Sequence, residues 1–225
     1  MLSIAEENYI KRLLSLTLDN PDKEGVGTNE LATSLLVKPS TANDMLKKLR
    51  QKELIDYEKY GKIHLTAEGR KTGMDILRKH RLWETFLYQK LDFTWDEVHE
   101  VAEQLEHIQS EKLVEKLDKF LGYPAFDPHG DPIPNQKGEI NLLPKRMLSE
   151  AEPGTICRMT AVKDNSAVFL NFVMELGLGI NNRIEIVSRQ DFDDSMEIRI
   201  NGKVARVSKK FAQNIYIIPE EKSQN

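Results

Sequence analysis

Apolar residues recur at helical spacing near the start of the chain and predict a small helical unit. The first helix is predicted over residues 3–19. A short second helix follows from Thr28, the predicted N-cap, and a third runs from Pro39, which suits a first helical position, to about residue 52. Two short alternating strands then flank residues 59–62 and predict a β-hairpin.

The pattern changes twice in the rest of the chain. Three further helices are predicted over residues 66–91, 94–108 and 110–121. Residues 122–155 hold six of the nine prolines, which indicates an extended linker or a structured arm. From residue 156 onward β-branched residues alternate with polar ones, with a helix over about 165–176 and a hairpin turn at Asn201 and Gly202.

These elements predict a multidomain protein that is mainly α-helical with some β structure. The order helix, short helix, turn, helix and hairpin is typical of a winged helix-turn-helix. The β-rich end is expected to form a small barrel-like domain. The predicted domains are a winged helix-turn-helix at 1–65, a helical domain at 66–121, the proline-rich arm at 122–155 and the β domain at 156–225.

The composition constrains the cellular compartment of the protein more than it constrains the biochemical function. Hydrophobic residues make up 40% of the 225, which is enough for real cores, and the net charge of −4 decides little about DNA binding. The N-terminus lacks the features of a signal peptide, and no apolar run approaches the roughly 20 residues of a membrane span. Cys157 is the single cysteine, so no intrachain disulfide is possible. We therefore expect a cytoplasmic protein without a membrane partner.

The predicted third helix has the residues of a DNA-reading helix. Ser40, Thr41 and Asn43 lie at its start, where side chains reach base edges in the major groove, and basic residues further along suit phosphates. The alternative is a small helical bundle with a solvated basic face. The lysines at the tip of the hairpin favour DNA. The complete predicted contact set is Thr28, Lys38, Pro39, Ser40, Thr41, Asn43, Lys47, Lys48, Arg50, Lys59 and Lys62.

The segment 92–111 has the composition of a metal-binding helix. It contains seven acidic residues, two histidines and neither lysine nor arginine, so it repels itself unless something neutralises it. Since the segment has no internal cation to pair with, divalent metal explains it better than salt bridges do. Four residues of ligand type share an arc of about 100° on this helix. They are His99, Glu103, Glu106 and His107.

Two more pairs of ligand type accompany this segment. His80 and Glu84 lie one turn apart on the long helix, on a stripe that points inward, and Asp127 and His129 stand in the proline-rich arm. Packing of the helices would bring these nitrogen and oxygen ligands together. The alternative for each residue alone is an ordinary histidine or a solvated acidic face.

Two long motifs in the helical domain closely resemble the diphtheria-toxin-repressor family of metal-dependent regulators. They are RKHRLWE at 78–84 and VHEVAEQLEH at 98–107. The resemblance covers nearly the whole chain and implies an SH3-like fold for the C-terminal domain and a dimerisation role for the helical domain. It also implies metal ligation by His80, Glu84, His99, Glu103, Glu106 and His107.

The same resemblance implies manganese as the metal. Glu103 matches the manganese-responsive branch, because iron-responsive members carry cysteine there, whereas Asn8 stands where one branch has methionine and the other a carboxylate. Asp127 and His129 correspond to a Cys-Pro-His stretch in three-domain manganese relatives, which add an acid for which Asp164 is the nearest candidate. A set of carboxylates and imidazoles suits Mn²⁺, although such a site also binds Fe²⁺ and other divalent metals.

The expected function is a homodimeric, manganese-activated transcriptional repressor. Its two-fold symmetry predicts a roughly palindromic double-stranded DNA operator. The resemblance implies that the regulated genes encode metal uptake. The alternatives are an iron-responsive regulator of the same family and, from another class, a dimetal hydrolase, for which the chain offers no nucleophile motif and no phosphate-binding glycine-rich loop.

Overall fold

A computed structural model describes residues 2–57, 61–140 and 146–220. The chain forms two compact units, and each is built from segments that are distant in the sequence. Unit 1 comprises Met1–Trp83, Glu103–Leu117 and Ile133–Ile140. Unit 2 comprises Glu84–Ala102, Asp118–Pro132 and Asn141–Asn225. No helix in the described part of the chain combines the length and apolar character needed to span a membrane.

Unit 1 contains the predicted winged helix-turn-helix. Its helices are α1 (Ile4–Asp19), α2 (Thr28–Ser34) and α3 (Pro39–Gln51), and its hairpin consists of the antiparallel strands β1 (Ile55–Tyr57) and β2 (Ile63–Leu65). This prediction is confirmed. A buried core of leucine, isoleucine and alanine side chains from all five elements holds the unit together.

The helix starts of unit 1 follow from local capping chemistry. Ser3 caps α1 and forms a capping box with Glu6, whose carboxylate accepts a hydrogen bond from the Ser3 backbone N–H. Pro39 occupies the first turn of α3, as predicted. Thr28 was predicted as the N-cap of α2, and this is wrong. Gly27 is the cap, because Glu30 accepts a hydrogen bond from the Gly27 N–H and so starts the helix one residue earlier.

Three more helices follow, close to their predicted positions. They are α4 (Ala67–Lys90), α5 (Val98–Leu105) and α6 (Glu111–Phe120). The fifth helix is shorter than the predicted 94–108. At its N-terminal side the Glu97 carboxylate accepts the Thr94 N–H at 2.8 Å and the Thr94 hydroxyl donates to Asp96, so side chains close a turn where a helical turn was expected.

Unit 2 contains a six-stranded antiparallel sheet in the order β3-β8-β4-β5-β6-β7. The strands are β3 (Arg146–Met147), β4 (Ile156–Val162), β5 (Arg183–Arg189), β6 (Met196–Ile200), β7 (Lys203–Val207) and β8 (Ile215–Pro219). Helices α7 (Ala167–Glu175) and α8 (Lys209–Ala212) complete the unit. The turn at Asn201 and Gly202 joins β6 to β7 with positive φ at both residues, which confirms the predicted hairpin.

The proline-rich arm is structured where the structure describes it. Around Asp127 and His129 the arm forms a tight turn closed by an isolated bridge between Phe126 and Pro132. Residue Arg146, later in the arm, already belongs to the sheet as the start of β3. Residues 122–132 and 146–155 of the arm therefore belong to unit 2, whereas Ile133–Ile140 belongs to unit 1.

Candidate metal and DNA-binding sites

Helix α3 presents a polar surface opposite a buried apolar stripe. Ala42, Leu46 and Leu49 are fully buried at spacings of four and three residues, which fixes the helix orientation. Most of the predicted DNA-contacting side chains are therefore exposed, namely Lys38, Pro39, Ser40, Thr41, Lys47, Lys48, Arg50 and Lys62. Thr28 and Asn43 are half-buried. Lys59, predicted at the wing tip, lies outside the described residues.

A first cluster of charged groups lies in unit 1 around the fully buried carboxylate of Glu106. The Lys11 ammonium lies 2.7 Å from each Glu106 oxygen, and Nδ1 of His80 lies 2.6 Å from Oε2. Glu103 is half-exposed, with Oε1 3.6 Å from the Lys11 Nζ. Burial raises the pKa of Glu106, but the hydrogen bond and charge of His80 and the charge of Lys11 outweigh it, so the pKa falls below its ordinary value.

The same cluster continues along α1 through Glu7. Nδ1 of His107 lies 2.5 Å from Oε2 of Glu7, and the Gln109 side-chain amide donates to Oε1 at 2.8 Å. We call the set Glu7, Lys11, His80, Glu103, Glu106 and His107 the α1 cluster.

The α1 cluster contains four of the predicted ligands, and contacts with side chains of α1 hold them together. His80, Glu103, Glu106 and His107 come together as expected. The acidic segment has no lysine or arginine of its own, and the structure shows that Lys11 of α1 supplies a cation from outside the segment. The resemblance implies a ligand at the position of Asn8, whereas Glu7 and Lys11 of the same helix make the observed contacts. Their spacing of four residues on one helix face was the available signal.

A second cluster lies in unit 2 and joins the end of α4 to the arm. Glu84, Asp127 and His129 are each at least 94% buried, and each offers a ligand atom within 4.8 Å of the others. We call these three residues the arm site. His99 borders it, with Nδ1 3.1 Å from Oε1 of Glu84. The same Glu84 oxygen lies 3.8 Å from Nδ1 of His129.

His129 is held in one orientation by Trp95. Its Nε2 lies 3.0 Å from the Trp95 carbonyl oxygen, which can only accept a hydrogen bond, so Nε2 carries the proton. The two rings also stack, with centroids 5.6 Å apart and planes 14° from parallel. Nδ1 of His129 therefore faces Glu84. Sequence reasoning did not anticipate this role of Trp95, because a backbone carbonyl leaves no signature in the residue type.

The turn that carries His129 depends on Asp127 and Gly130. Oδ1 of Asp127 accepts the N–H groups of His129 and Asp131 at 2.8 and 2.9 Å. Gly130 has a φ of +84°, and a Cβ there would lie 1.7 Å from the carbonyl oxygen of Thr160 in β4. The His129 carbonyl accepts the Val162 N–H at 3.2 Å. The arm is thus docked on β4 by backbone contact.

The arm site has the chemistry of a divalent-metal site. Burial lowers the pKa of His129, but the hydrogen bond and charge of Glu84 and the charge of Asp127 raise it more, so the pKa stands above its ordinary value. The two carboxylates and the imidazole are buried together, with one ligand atom of each within 4.8 Å of the others. The donors are nitrogen and oxygen, and they fit Mn²⁺, Fe²⁺ or Zn²⁺. The structure does not bring Asp164 into this group, and its Oδ1 accepts the Ser166 N–H at 2.9 Å.

Three known families match successive parts of the chain. "Iron dependent repressor, N-terminal DNA binding domain" matches residues 1–63. "Iron dependent repressor, metal binding and dimerisation domain" matches residues 66–135. The FeoA domain matches residues 146–219. Together these matches cover both units and confirm the predicted order of a DNA-binding, a helical metal-binding and a β domain.

Individual relatives cover the chain to different extents. The "Iron-dependent repressor IdeR" of Mycobacterium tuberculosis H37Rv is 32% identical over 127 residues, 56% of this chain, and the chain spans about half (53%) of that relative's length. A solved "Manganese-dependent transcriptional repressor complex with manganese" is 32% identical, with 96% of this chain and 100% of that chain covered and a TM-score of 0.85. "ScaR with bound Cd2+" is 33% identical, with 95% and 98% covered and a TM-score of 0.76.

Proposed function

The chain belongs to the diphtheria-toxin-repressor family of metal-dependent transcriptional repressors, and from this premise we propose that it is a homodimeric repressor whose DNA binding is activated by manganese at the arm site. The family consists of regulators, which confirms the expectation that the chain is not an enzyme and removes the dimetal hydrolase. The operator is expected to be roughly palindromic, since a two-fold dimer presents two copies of α3. Control of metal-uptake genes remains part of this proposal.

The buried arm site is the observation that carries the proposal. Glu84, Asp127 and His129 come from α4 and from the arm, so an ion held by all three would tie these segments together. When bound, the metal would accept electron pairs from the two carboxylates and the imidazole and so link them. The protein's own part is to orient the donors: Trp95 holds Nδ1 of His129 towards Glu84, and the backbone of the turn holds one oxygen of Asp127.

Two observations support manganese over iron. Two of the solved regulators, 32% and 30% identical over nearly their full length, are named for manganese, whereas IdeR matches over about half its length. The donor set is also free of thiolate, since the chain's single cysteine, Cys157, is buried in β4 with its Sγ 3.6 Å from the Ile184 carbonyl oxygen. Oxygen and imidazole donors suit Mn²⁺, whereas a thiolate favours softer metals. An iron-responsive regulator is the second candidate.

The test is DNA affinity as a function of free metal. A duplex selected in vitro by the full chain in the presence of Mn²⁺ is labelled, and its binding is followed by fluorescence anisotropy in chelator, Mn²⁺, Zn²⁺ and, anaerobically, Fe²⁺. We expect Mn²⁺ to raise the affinity by about 5- to 150-fold, the range of ordinary coupling between sites. Glu84→Gln should abolish this gain. Glu152→Gln is the matched control, because it removes an exposed carboxylate elsewhere in unit 2.

Three results bear on the proposal in different ways. Equal affinity in chelator and in Mn²⁺ contradicts metal activation. Retention of the full Mn²⁺ effect in Glu84→Gln contradicts the arm site. The free concentration of each metal that activates DNA binding is divided by the free concentration of that metal in the cell. A lower ratio for Fe²⁺ than for Mn²⁺ favours the iron-responsive candidate.

A further inference from the structure

The Lys11 ammonium lies where a bound cation would neutralise the α1 cluster. Its Nζ is 2.7 Å from both oxygens of Glu106 and 3.6 Å from Glu103. The Glu106 side chain is 0% exposed and that of Lys11 is 13% exposed, so water provides little screening of this pair. The contact with Oε2 is a charge-assisted hydrogen bond, whereas Oε1 lies within ion-pair distance of Nζ and has no hydrogen-bond partner among the described residues.

A lysine ammonium excludes a metal from this position. It has three N–H donors and no lone pair, so it cannot act as a ligand, and its positive charge repels a divalent ion. Nδ1 of His80 takes the remaining approach to Oε2 of Glu106 at 2.6 Å. As folded, the α1 cluster therefore does not fit a metal, although its acids and histidines are of ligand type.

Protein bonds alone already join α1 to the residues around α5. Lys11 bonds Glu106, and Glu7 bonds both His107 and Gln109 at 2.5 and 2.8 Å. Helix α1 is therefore anchored at two positions one turn apart, and every partner is supplied by the chain.

We propose that Lys11 is a built-in cation that takes the place of metal in the α1 cluster and holds α1 to residues 103–109 without a bound ion. Glu103, Glu106 and His107 are then structural partners of α1, and metal binding is left to other residues. The proposal concerns the α1 cluster alone and does not depend on whether the arm site binds manganese.

The first test counts metal ions on the full chain by equilibrium dialysis against Mn²⁺ and, separately, Zn²⁺, followed by elemental analysis. The parent, Lys11→Gln and Lys52→Gln are compared, all carrying Glu84→Gln to disable the arm site. Lys52→Gln is the matched control, because Lys52 Nζ lies 2.7 Å from Glu6, another buried carboxylate of α1. We expect Lys11→Gln to gain about one ion per chain, while the other two gain none.

Two outcomes would overturn the proposal. One is metal that the parent binds in this background and loses on Glu106→Gln. The other is an unchanged metal count in Lys11→Gln that still folds by circular dichroism. If Lys11→Gln does not fold, Lys11→Arg is used instead, because arginine keeps the positive charge. We expect Lys11→Arg to fold and to bind no additional metal. A gain of metal in this variant would refute the proposal. Unaltered metal binding on Glu84→Gln alone would count against the arm site instead.

The second test follows backbone hydrogen exchange of residues 103–109. In chelator we expect these amides to exchange at least about 10-fold faster in Lys11→Gln than in the parent, as loss of a buried pair allows local opening. Mn²⁺ should restore protection in Lys11→Gln, while Lys52→Gln should match the parent throughout. Protection that depends on metal in the parent itself would overturn the proposal.

Discussion

The tight turn that carries His129 makes Gly130 the most demanding position of the arm site. Gly130→Ala meets two separate penalties. The φ of +84° lies in the left-handed region, which costs an L-residue about 1–2 kcal/mol. In addition, the new Cβ would lie 1.7 Å from the Thr160 carbonyl oxygen and 2.9 Å from the Ala161 Cα, where ordinary contact begins near 3.4 Å. The obstacle is backbone, so no side-chain rotation relieves it.

The magnitude follows from adding these penalties. Overpacking of a buried contact costs about 1–3 kcal/mol, so the total loss in the free energy of unfolding is about 2–5 kcal/mol. Gly154→Ala is the matched control within unit 2, because Gly154 has a φ of +83° and nothing within 4 Å of its Cβ position. It should lose only the backbone part, about 1–2 kcal/mol.

Two measurements test this reasoning. Denaturant unfolding in chelator gives the loss of stability, and calorimetric titration gives the Mn²⁺ affinity. Because relief of the contact must move the backbone next to His129, we expect Gly130→Ala to lower the Mn²⁺ affinity by about 10- to 100-fold, with Gly154→Ala close to the parent. Equal loss of stability in the two variants would refute the packing argument. A folded Gly130→Ala chain with unchanged Mn²⁺ affinity would show that the conformation of this turn does not determine Mn²⁺ binding at the arm site.

Two further predictions concern DNA binding and protons. Arg50→Ala should weaken binding to all DNA sequences and reduce the salt dependence of that binding, whereas Asn43→Ala should relax the sequence preference. Fluorescence anisotropy at several salt concentrations checks both variants. A change of specificity in Arg50→Ala with an unchanged salt dependence would contradict the placement of α3 on DNA. The raised pKa of His129 means that its protonation stabilises the metal-free fold below about pH 6.5 and that this contribution is lost as pH rises through the folded pKa. Because Mn²⁺ replaces that proton, the Mn²⁺ affinity should rise with pH over the same window. Calorimetry in buffers of different ionisation enthalpy should detect proton release on Mn²⁺ binding, and this release should disappear in His129→Gln. Equal proton release in the parent and the variant would contradict the prediction.

Local patterns were sufficient for the secondary structure because they depend on near neighbours. The 3.6-residue periodicity of α1, α3 and α4 and the Asn201–Gly202 turn report contacts within a few residues, and all appeared where expected. The errors occurred where one side chain altered a helix end. Glu30 moved the start of α2 to follow Gly27, and Glu97 closed a turn before α5.

The sequence by itself determined which residues have ligand chemistry, and the tertiary structure decided how they are grouped. His80 and Glu84 lie one turn apart on α4, as their spacing predicts. The fold also places Glu106 against His80 in unit 1, and Asp127 and His129 against Glu84 in unit 2. Periodicity cannot supply these partners, because they come from segments that only packing brings together.

The same limit explains the two residues that matter most and were missed. Lys11 looks like an ordinary exposed lysine of an amphipathic helix until Glu106, 95 residues away, is placed against it. Trp95 acts through its backbone carbonyl, which every residue possesses. Composition records that charges must balance, but only the folded chain shows which cation lies beside which carboxylate, because electrostatic energy depends on distance and burial.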